Sequence, residues 1–490
     1  MSKRFADFPA FRSQLAAMRA ARERVTSARE LHSLEGLAAR WLPSELLSEL
    51  RSMPGTRNRW LPLRVIFWAF LNMVLQPGAP CREAQRSIQA WWQRLGRSWR
   101  NPCTSAFCAA RARLPLGWLR RLWQRTADRM AATAPCLPGC YGRRVLVADG
   151  TSVTAPDTAK NQLQWPQSKS QKPGCGWPLI SIVGIFCLSS GALLRAAHGT
   201  WKTSEARLFA IIRRMLRWGD ILVADRGFWS FANLALLAMR GVDLIVRGRY
   251  AKRVNWRKGK RLGKGDRLVT MSRPVDASRV MSKRLWKSLP ESITIRQIRA
   301  QAARPGFRTE ELLLVTTLLD PKEWPAETLV RLYVRRWRVE LNFDDIKTTM
   351  RASAMRCLSP EMVRRELLTH AIAYNLVRRV MLESARQECA PLDQISFKGT
   401  LDTVRHWQHT IAAKRGRGAR KDALEEMLLL CASDLLLVRP GRSEPRAIKR
   451  RPKPYQYLTK PRRRMVVSPS RSNKGAARRP AKPGNYASLN

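Results

Sequence analysis

The sequence predicts an α/β protein with a mixed central sheet, a helical N-terminal region and a basic C-terminal tail. Three observations support this prediction. Residues 1–140 carry apolar side chains at helical spacing, and short β-branched runs alternate with amphipathic segments from residue 141 onward. The last fifty residues, 441–490, hold 15 Lys and Arg against one acid. Interleaved strands and helices of this kind pack as helical layers against a sheet.

The charge of the chain indicates a polyanionic partner. Lys and Arg number 91 against 36 Asp and Glu, which gives a net charge of +55 at pH 7. Such a surface repels itself unless a polyanion neutralises it, and nucleic acid is the usual one. The 490 residues include 45% hydrophobic residues and 18 Trp, enough for a packed core and about two to four domains. A histone-like packing protein rarely has this length or so many Trp.

Cysteine and hydropathy patterns favour a reducing compartment and no membrane segment. The ten Cys are scattered without a pair of CxxC motifs, and only five His are present, so a structural zinc site has weak support. The start of the chain lacks the apolar stretch of a signal peptide. The longest apolar run, residues 65–75, is too short to span a bilayer.

The N-terminal region, residues 1–140, is expected to form a helical DNA-binding domain. Its clearest helices are 62–76 and 82–95, separated by the turn sequence PGAP. This pair is consistent with a helix-turn-helix whose Arg82 and Arg86, four residues apart on one face, point toward phosphate. Two packed helices with solvated arginines are equally consistent.

The first part of the core, residues 141–249, is predicted to contain five strands. They cover residues 143–153, 179–189, 192–199, 220–228 and 242–249. A helix is expected at 204–219, with Ser204 as its N-cap, and another at 230–241. This order predicts a mixed sheet.

Residues 250–310 are rich in Gly, Lys and Arg with short strand-like pieces, which predicts an inserted β-rich module. A further strand at 311–320 and long helices up to about 390 form the second part of the core, 311–395. A C-terminal helical region, 396–440, precedes the tail. The tail, 441–490, is expected to be flexible and to contact phosphates without sequence specificity.

Two of the predicted strands end in an aspartate. The run VLVADG places Asp149 at a strand tip, and ILVADRG does the same for Asp225. A single Asp-Gly pair is more often a turn. Two such strands in one sheet favour a paired acidic site at the sheet edge, within reach of a metal ion.

A third acid lies in the segment LYVRRWRVELNFDDIKTTM, residues 332–350. At about 100° per residue, four of its side chains fall within a helical stripe roughly 60° wide: Tyr333, Arg336, Glu340 and Lys347. An ordinary exposed i,i+4 ion pair between Arg336 and Glu340 would also explain part of this pattern. Asp344, one turn beyond Glu340, competes with it for the carboxylate role.

The spacing Tyr-x2-Arg-x3-Glu-x6-Lys in this segment matches the YREK signature of the insertion-sequence-4 family of DDE transposases. The sequences around the two aspartates, DGTSVTAPDT and ADRGF, resemble the family's two aspartate blocks, and the likeness spans roughly residues 80–460. The resemblance implies an RNase H-like core with the first Asp on strand one, the second on strand four and the Glu on a late helix. It favours Glu340 over Asp344, and it accounts for the β-rich insertion between the second Asp and the Glu.

The resemblance implies a cut-and-paste transposase that binds terminal inverted repeats and catalyses strand cleavage and strand transfer. It assigns catalysis and metal binding to Asp149, Asp225 and Glu340, with two Mg²⁺ or Mn²⁺ ions, and transposon-end binding to Tyr333, Arg336 and Lys347. The expected partners are double-stranded DNA, as transposon ends and target, and a second copy of the chain in a DNA-dependent homodimer. The expected location is the bacterial cytoplasm, in association with the nucleoid.

Some members of the family hold a flipped base with an aromatic residue of the insertion. The candidates here are Trp256, Trp286 and Phe307, each of which could instead pack in the insertion's own core. Two alternative functions stay open: an RNase H-like nuclease or resolvase without strand transfer, and a catalytically silent DNA-binding descendant.

Overall fold

A computed structural model describes residues 33–53, 61–96, 103–248, 255–275, 281–302, 310–436, 458–461 and 464. Within these residues a nine-stranded sheet carries helices on both faces. Successive residues of its first strand pack into different apolar clusters, with Val145 and Val147 on one face and Leu146 and Ala148 on the other. This alternation follows from the two-residue repeat of a strand and explains why its sequence is apolar throughout.

The residues before the sheet are helical, as predicted, although residues 1–32 lie outside the described part. The helices are α1 (Ser33–Ala38), α2 (Ser44–Ser52), α3 (Leu63–Leu75), α4 (Cys81–Arg94), α5 (Ser105–Arg111) and α6 (Leu116–Thr133). The expected pair is therefore present as α3 and α4. Every residue of α3 is buried, as is typical of a helix that is apolar on all sides.

The N-terminal helices pack directly onto the sheet and its C-terminal neighbours. The Trp123 indole of α6 donates to the Leu193 carbonyl at 2.9 Å, and Arg195 forms a bidentate pair with Asp128 of α6. The turn between α3 and α4 is held by Arg356, whose guanidinium donates to the Ala79 carbonyl at 2.6 Å. Arg82 and Arg86 of α4 are exposed, so both remain available to an anionic partner.

The strands run in the order β3-β2-β1-β4-β5-β9-β8-β7-β6. Their bounds are β1 (Val145–Thr154), β2 (Leu179–Cys187), β3 (Leu193–Thr200), β4 (Ile221–Ala224), β5 (Asp243–Arg247), β6 (Lys260–Gly263), β7 (Asp266–Ser272), β8 (Ser292–Ala302) and β9 (Glu310–Thr316). The pairs β1–β4 and β4–β5 are parallel and the others are antiparallel, so the predicted mixed sheet is confirmed.

The helices within the sheet region are α7 (Ala159–Gln164), α8 (Glu205–Ile212), α9 (Phe231–Ala238) and α10 (Lys283–Lys287). Ser204 caps α8 by accepting from the Arg207 amide, as expected. The predicted end of α8 at residue 219 is wrong. The helix stops at Ile212 because the chain tightens into a 3₁₀ turn, and Leu216 then leaves it in extended conformation and packs under the sheet.

The strands predicted within the insertion are present, but they do not form a module apart from the core sheet. Strand β8 pairs along β9, and β9 pairs with β5, so β6 to β8 extend the central sheet. A buried bidentate ion pair between Arg296 of β8 and Asp266 of β7 fixes this extension, with contacts of 2.9 and 2.5 Å. The sequence did not indicate that β9 uses both of its edges.

After the sheet come α11 (Ala326–Arg335), α12 (Arg338–Asp344), a π-helical turn (Asp345–Thr349), α13 (Pro360–Gln387), α14 (Phe397–Ala413) and α15 (Arg417–Ser433). The single regular helix expected over 332–350 is therefore wrong. Bonds from residue i to i−3 overwind the chain near Arg336, and the π-turn then underwinds it. The two departures act in opposite directions along the helix.

Among the described residues, no helix is both long and apolar enough to cross a membrane. All ten cysteines lie in the described part and are free. The tail lies outside it except for residues 458–461 and 464.

Candidate active site

Asp149 and Asp225 lie side by side where the parallel pairing of β1 and β4 ends. Ala148 and Ala224 are the last partners of that pairing, and the two aspartates follow them. Asp225 comes directly after β4, as predicted. Asp149 is not at a strand tip, because β1 continues to Thr154 through its pairing with β2. Carboxyl ends of neighbouring parallel strands are a common place for ligand sites in α/β sheets.

The segment from α11 to α12 covers this edge and brings three of its side chains to the two aspartates. The Tyr333 hydroxyl donates to Asp225 Oδ1 at 3.3 Å. The Arg336 guanidinium lies 3.7 Å from Asp149 Oδ2 and 3.4 Å from Glu340 Oε1. Arg336 therefore joins the acid on β1 to the acid on α12, and its side chain is only 13% exposed. This is more than an exposed pair within one helix.

Lys347 faces the same edge from the π-turn. Its Nζ donates to Thr151 Oγ1 at 3.2 Å, two residues along β1 from Asp149 and on the same face of the strand. The structure thus brings all four side chains of the predicted stripe to β1 and β4. Overwinding near Arg336 followed by underwinding in the π-turn keeps Lys347 on the face of Glu340.

Asp344, the alternative to Glu340, points elsewhere. It is exposed, and its Oδ1 accepts from the Thr348 hydroxyl at 2.6 Å. Its neighbour Asp345 is largely buried, and burial raises the pKa of that carboxyl to about 7. The position of Asp344 gives it no contact with Asp149 or Asp225 among the bonds of the described residues.

The site crowds like charges. Burial raises the pKa of Asp149, and nearby Asp225 adds to the rise while the Gly150 amide and Arg336 oppose it. Burial also raises the pKa of Glu340, with Asp149 and Asp225 contributing and Arg336 opposing. Burial raises the pKa of Tyr333 to about 12, so its phenol stays a hydrogen-bond donor at neutral pH. Arg336 is thus the counter-charge of an acidic cluster.

Sequence reasoning missed a fourth acid at this edge. Glu205, the first residue of α8, is open to solvent along part of its side chain, but its carboxylate lies beside the glycines that follow the two aspartates. Partial burial raises the pKa of Glu205, and Asp149 and Asp225 are its next causes. The available signal was an acid directly after a capping serine, which by itself indicates only a helix start.

The donor set suits hard divalent cations, which prefer carboxylate oxygens. Among the described residues, however, no group of three or more His, Cys, Asp or Glu side chains is drawn together closely enough to hold a metal ion. The guanidinium between Asp149 and Glu340 provides the positive charge there instead. Converging acids whose pKa values remain raised beside one arginine fit a site that takes up further positive charge.

The aromatic candidates for holding a base lie apart from these acids. Trp286 is buried against Phe231 of α9, with ring centroids 6.1 Å apart, so it packs on the core and not in a separate insertion core. Trp256 lies under the Arg267 guanidinium at 5.4 Å. Phe307 lies outside the described residues.

Comparisons with known proteins agree with this site. The family model "Transposase DDE domain" matches residues 141–376, and "Insertion element 4 transposase N-terminal" matches residues 31–124. Transposase InsG for insertion sequence element IS4 of Escherichia coli (strain K12) is 28% identical over 413 residues, covering 83% of this chain and 89% of that protein.

Among solved structures, a cryo-EM structure of the piggyBac transposase synaptic complex with hairpin DNA is similar over 81% of this chain and 86% of that one, at 10% identity and a TM-score of 0.38. A likeness at this level carries no argument about the present chain.

The α/β sheet with its acidic edge and the match to the DDE domain define an enzyme of the DDE transposase class. The chain belongs to the insertion element 4 family of these transposases, as the two family models and the relative from Escherichia coli together show. The resemblance stated from the sequence is confirmed. DDE transposases generally use divalent metal ions.

Proposed function

We propose that this transposase moves an insertion sequence by a cut-and-paste route, binding terminal inverted repeats, cutting at them and joining the freed ends to target DNA. The observation that carries the proposal is the convergence of Asp149, Asp225 and Glu340 at one sheet edge beneath Arg336 and Lys347. Carboxylates beside fixed cations suit attack on a phosphodiester, where charge builds up on phosphate oxygens.

The three carboxylates would hold two divalent ions, Mg²⁺ or Mn²⁺. When bound, such ions activate the attacking oxygen and stabilise the leaving one. In their absence Arg336 neutralises Asp149 and Glu340. Once that charge is supplied otherwise, the guanidinium is free to present its planar fork to a phosphate of the transposon end.

Lys347 and Tyr333 have distinct parts in the same proposal. Lys347 reaches the edge as a point charge held beside Thr151, suited to a phosphate near the cut. Tyr333 directs its hydroxyl hydrogen to Asp225 and so orients that carboxylate. Its contact with DNA would use the remaining lone pair or a bridging water.

The assembly we propose is a DNA-dependent homodimer. A transposon has two ends, and one acidic site serves one end at a time, so a two-fold pair of chains provides two sites. The net charge of +55 opposes association of free chains, and end DNA would neutralise it. Light scattering should show a monomer without DNA and a dimer with end-containing duplex. A stable dimer at low salt without DNA would contradict the proposal.

The division of labour along the chain is also part of the proposal. Residues 1–140 would bind the ends, 141–249 and 311–395 would form an RNase H-like core, and 250–310, 396–440 and 441–490 would be the insertion, a helical region and the basic tail. The place of action would be the bacterial cytoplasm, at the nucleoid.

The test uses a duplex carrying the inverted repeats that flank the gene. Replacing Asp149, Asp225 or Glu340 with Ala should abolish cleavage while duplex binding survives, because these side chains serve chemistry and not affinity. Asp344→Ala, one turn from Glu340 and exposed, is the matched control and should keep cleavage. An essential Asp344 with a dispensable Glu340 would overturn the assignment.

The same assay separates the alternatives. A transposase joins cut ends to a target plasmid, whereas a nuclease or resolvase yields cut ends without joined product. A silent DNA-binding descendant would bind the duplex but cut nothing with either Mg²⁺ or Mn²⁺.

A further inference from the structure

The two glycines that follow the aspartates leave room for one side chain, that of Glu205. A methyl group on Gly150 would overlap Glu205 Oε1, and one on Gly227 would lie 3.3 Å from Glu205 Oε2, which is tight for such a contact. Gly150 is extended within β1 and Gly227 lies in the 3₁₀ turn after Asp225, and neither has positive φ. The backbone therefore does not demand glycine at these positions, but the close approach of the Glu205 carboxylate does.

The fold delivers Glu205 to this edge deliberately. Strand β3 ends at Thr200, a turn closed by the Thr203 amide and the Thr200 carbonyl follows, and Ser204 caps the first turn of α8. Glu205 is thereby the first helical residue, with its carboxylate next to the chain at both aspartates. Among the described residues no basic side chain forms an ion pair with Glu205.

An acid packed next to two other acids is costly unless a cation joins them. A first-turn glutamate does gain from the helix dipole, but that gain is available in solvent and requires no glycine cradle. Arg336, the counter-charge of the site, contacts Asp149 and Glu340 and not Glu205. The side of the site formed by α8 thus carries carboxylate without an arginine.

We infer that Glu205 is a fourth carboxylate of the acidic centre and a direct ligand of a divalent cation held by Asp149 and Asp225. The inference rests on the proposed function, since it concerns the same centre. It adds a ligand on a helix that the YREK segment does not contain.

The test measures Mn²⁺ binding to the full chain without DNA, by the loss of the free-ion signal in electron paramagnetic resonance. Glu205→Gln keeps size and removes charge, and we expect the Mn²⁺ affinity to fall about tenfold or more. Asp149→Asn is the positive control. Glu83→Gln, which alters a first-turn glutamate of α4, is the matched control and should leave the affinity unchanged.

Thermal unfolding gives a second measurement. Without metal, Glu205→Gln should raise the melting temperature, because it removes one charge from crowded like charges, and it should reduce the gain that Mn²⁺ produces. A side chain that only complements the helix dipole would behave oppositely: its loss would lower the melting temperature and leave Mn²⁺ affinity intact. That result would overturn the inference.

The remaining outcomes separate the two proposals. Mn²⁺ affinity lost in Asp149→Asn but kept in Glu205→Gln would overturn the role of Glu205 alone. A wild-type chain that binds no Mn²⁺, or an Asp149→Asn chain that binds it normally, would overturn the metal centre and the role of Glu205 with it.

Discussion

Replacing Arg336 with Ala should destabilise the protein in a pH-dependent way. Arg336 is 13% exposed and lies 3.7 Å from Asp149 and 3.4 Å from Glu340. Removing one partner of a buried ion pair costs about 3–5 kcal/mol. Because both contacts are long and Glu340 is 37% exposed, we discount this and expect the free energy of unfolding at pH 8 to fall by about 2 kcal/mol.

The sign of the pH dependence follows from the two carboxyls. Arg336 lowers the pKa of Asp149 and Glu340, although burial keeps both pKa values raised overall. Its loss raises both pKa values further above those of the unfolded chain. The folded state then holds protons that the unfolded state releases, so stability falls as pH rises from about 4 through the raised pKa values. The cost of Arg336→Ala should therefore be small at pH 5 and full at pH 8.

Urea unfolding of wild type and variant at pH 5 and pH 8 measures this difference. Arg335→Ala is the control, because Arg335 pairs with Asp393 in an exposed ion pair, and such pairs contribute about 0–1 kcal/mol. Millimolar Mn²⁺ should restore part of the stability of Arg336→Ala at pH 8. An equal loss at both pH values, or a loss no larger than that of Arg335→Ala, would refute the counter-charge role.

Three further outcomes are expected. Tyr333→Phe should fold normally but cleave more slowly, since it removes the hydroxyl that orients Asp225 at 3.3 Å, and unchanged cleavage in a single-turnover assay would count against this contact. Asp345→Asn should raise the free energy of unfolding at pH 8 by on the order of 2 kcal/mol and leave it unchanged at pH 5, because the buried acid with a pKa of about 7 costs stability only as pH rises toward that value; lower stability at pH 8 would disprove this. Truncation after residue 440 should flatten the dependence of log K on log salt for duplex binding, as fewer counterions are released, and an unchanged slope would mean that the tail makes no contact with DNA.

The sequence predicted β1 to β5 well because each is a short apolar run bounded by turn residues. The end of α8 was wrong for a tertiary reason. The apolar spacing continues through Leu216, but that side chain packs under the sheet from an extended backbone, and a pattern of apolar positions does not distinguish the two conformations.

The site shows a similar limit. Tyr333, Arg336 and Glu340 share a face at ordinary helical spacing, so periodicity was enough to group them. The shift to i−3 bonds near Arg336 and the π-turn before Lys347 depend on contacts with β1, which local sequence does not encode. Glu205 was missed because its partners, Asp149 and Asp225, are distant in the chain and its local setting already explained it as a helix start.

The unbroken sheet has a mechanical consequence. Strand β9 is hydrogen-bonded to β5 on one side and β8 on the other, and β5 pairs in turn with β4, which ends at Asp225. A pull on the far edge at β6 would therefore travel as shear through backbone hydrogen bonds, with no hinge to absorb it. Tension in a DNA strand held at that edge would be felt at Asp225 as a displacement of its own strand.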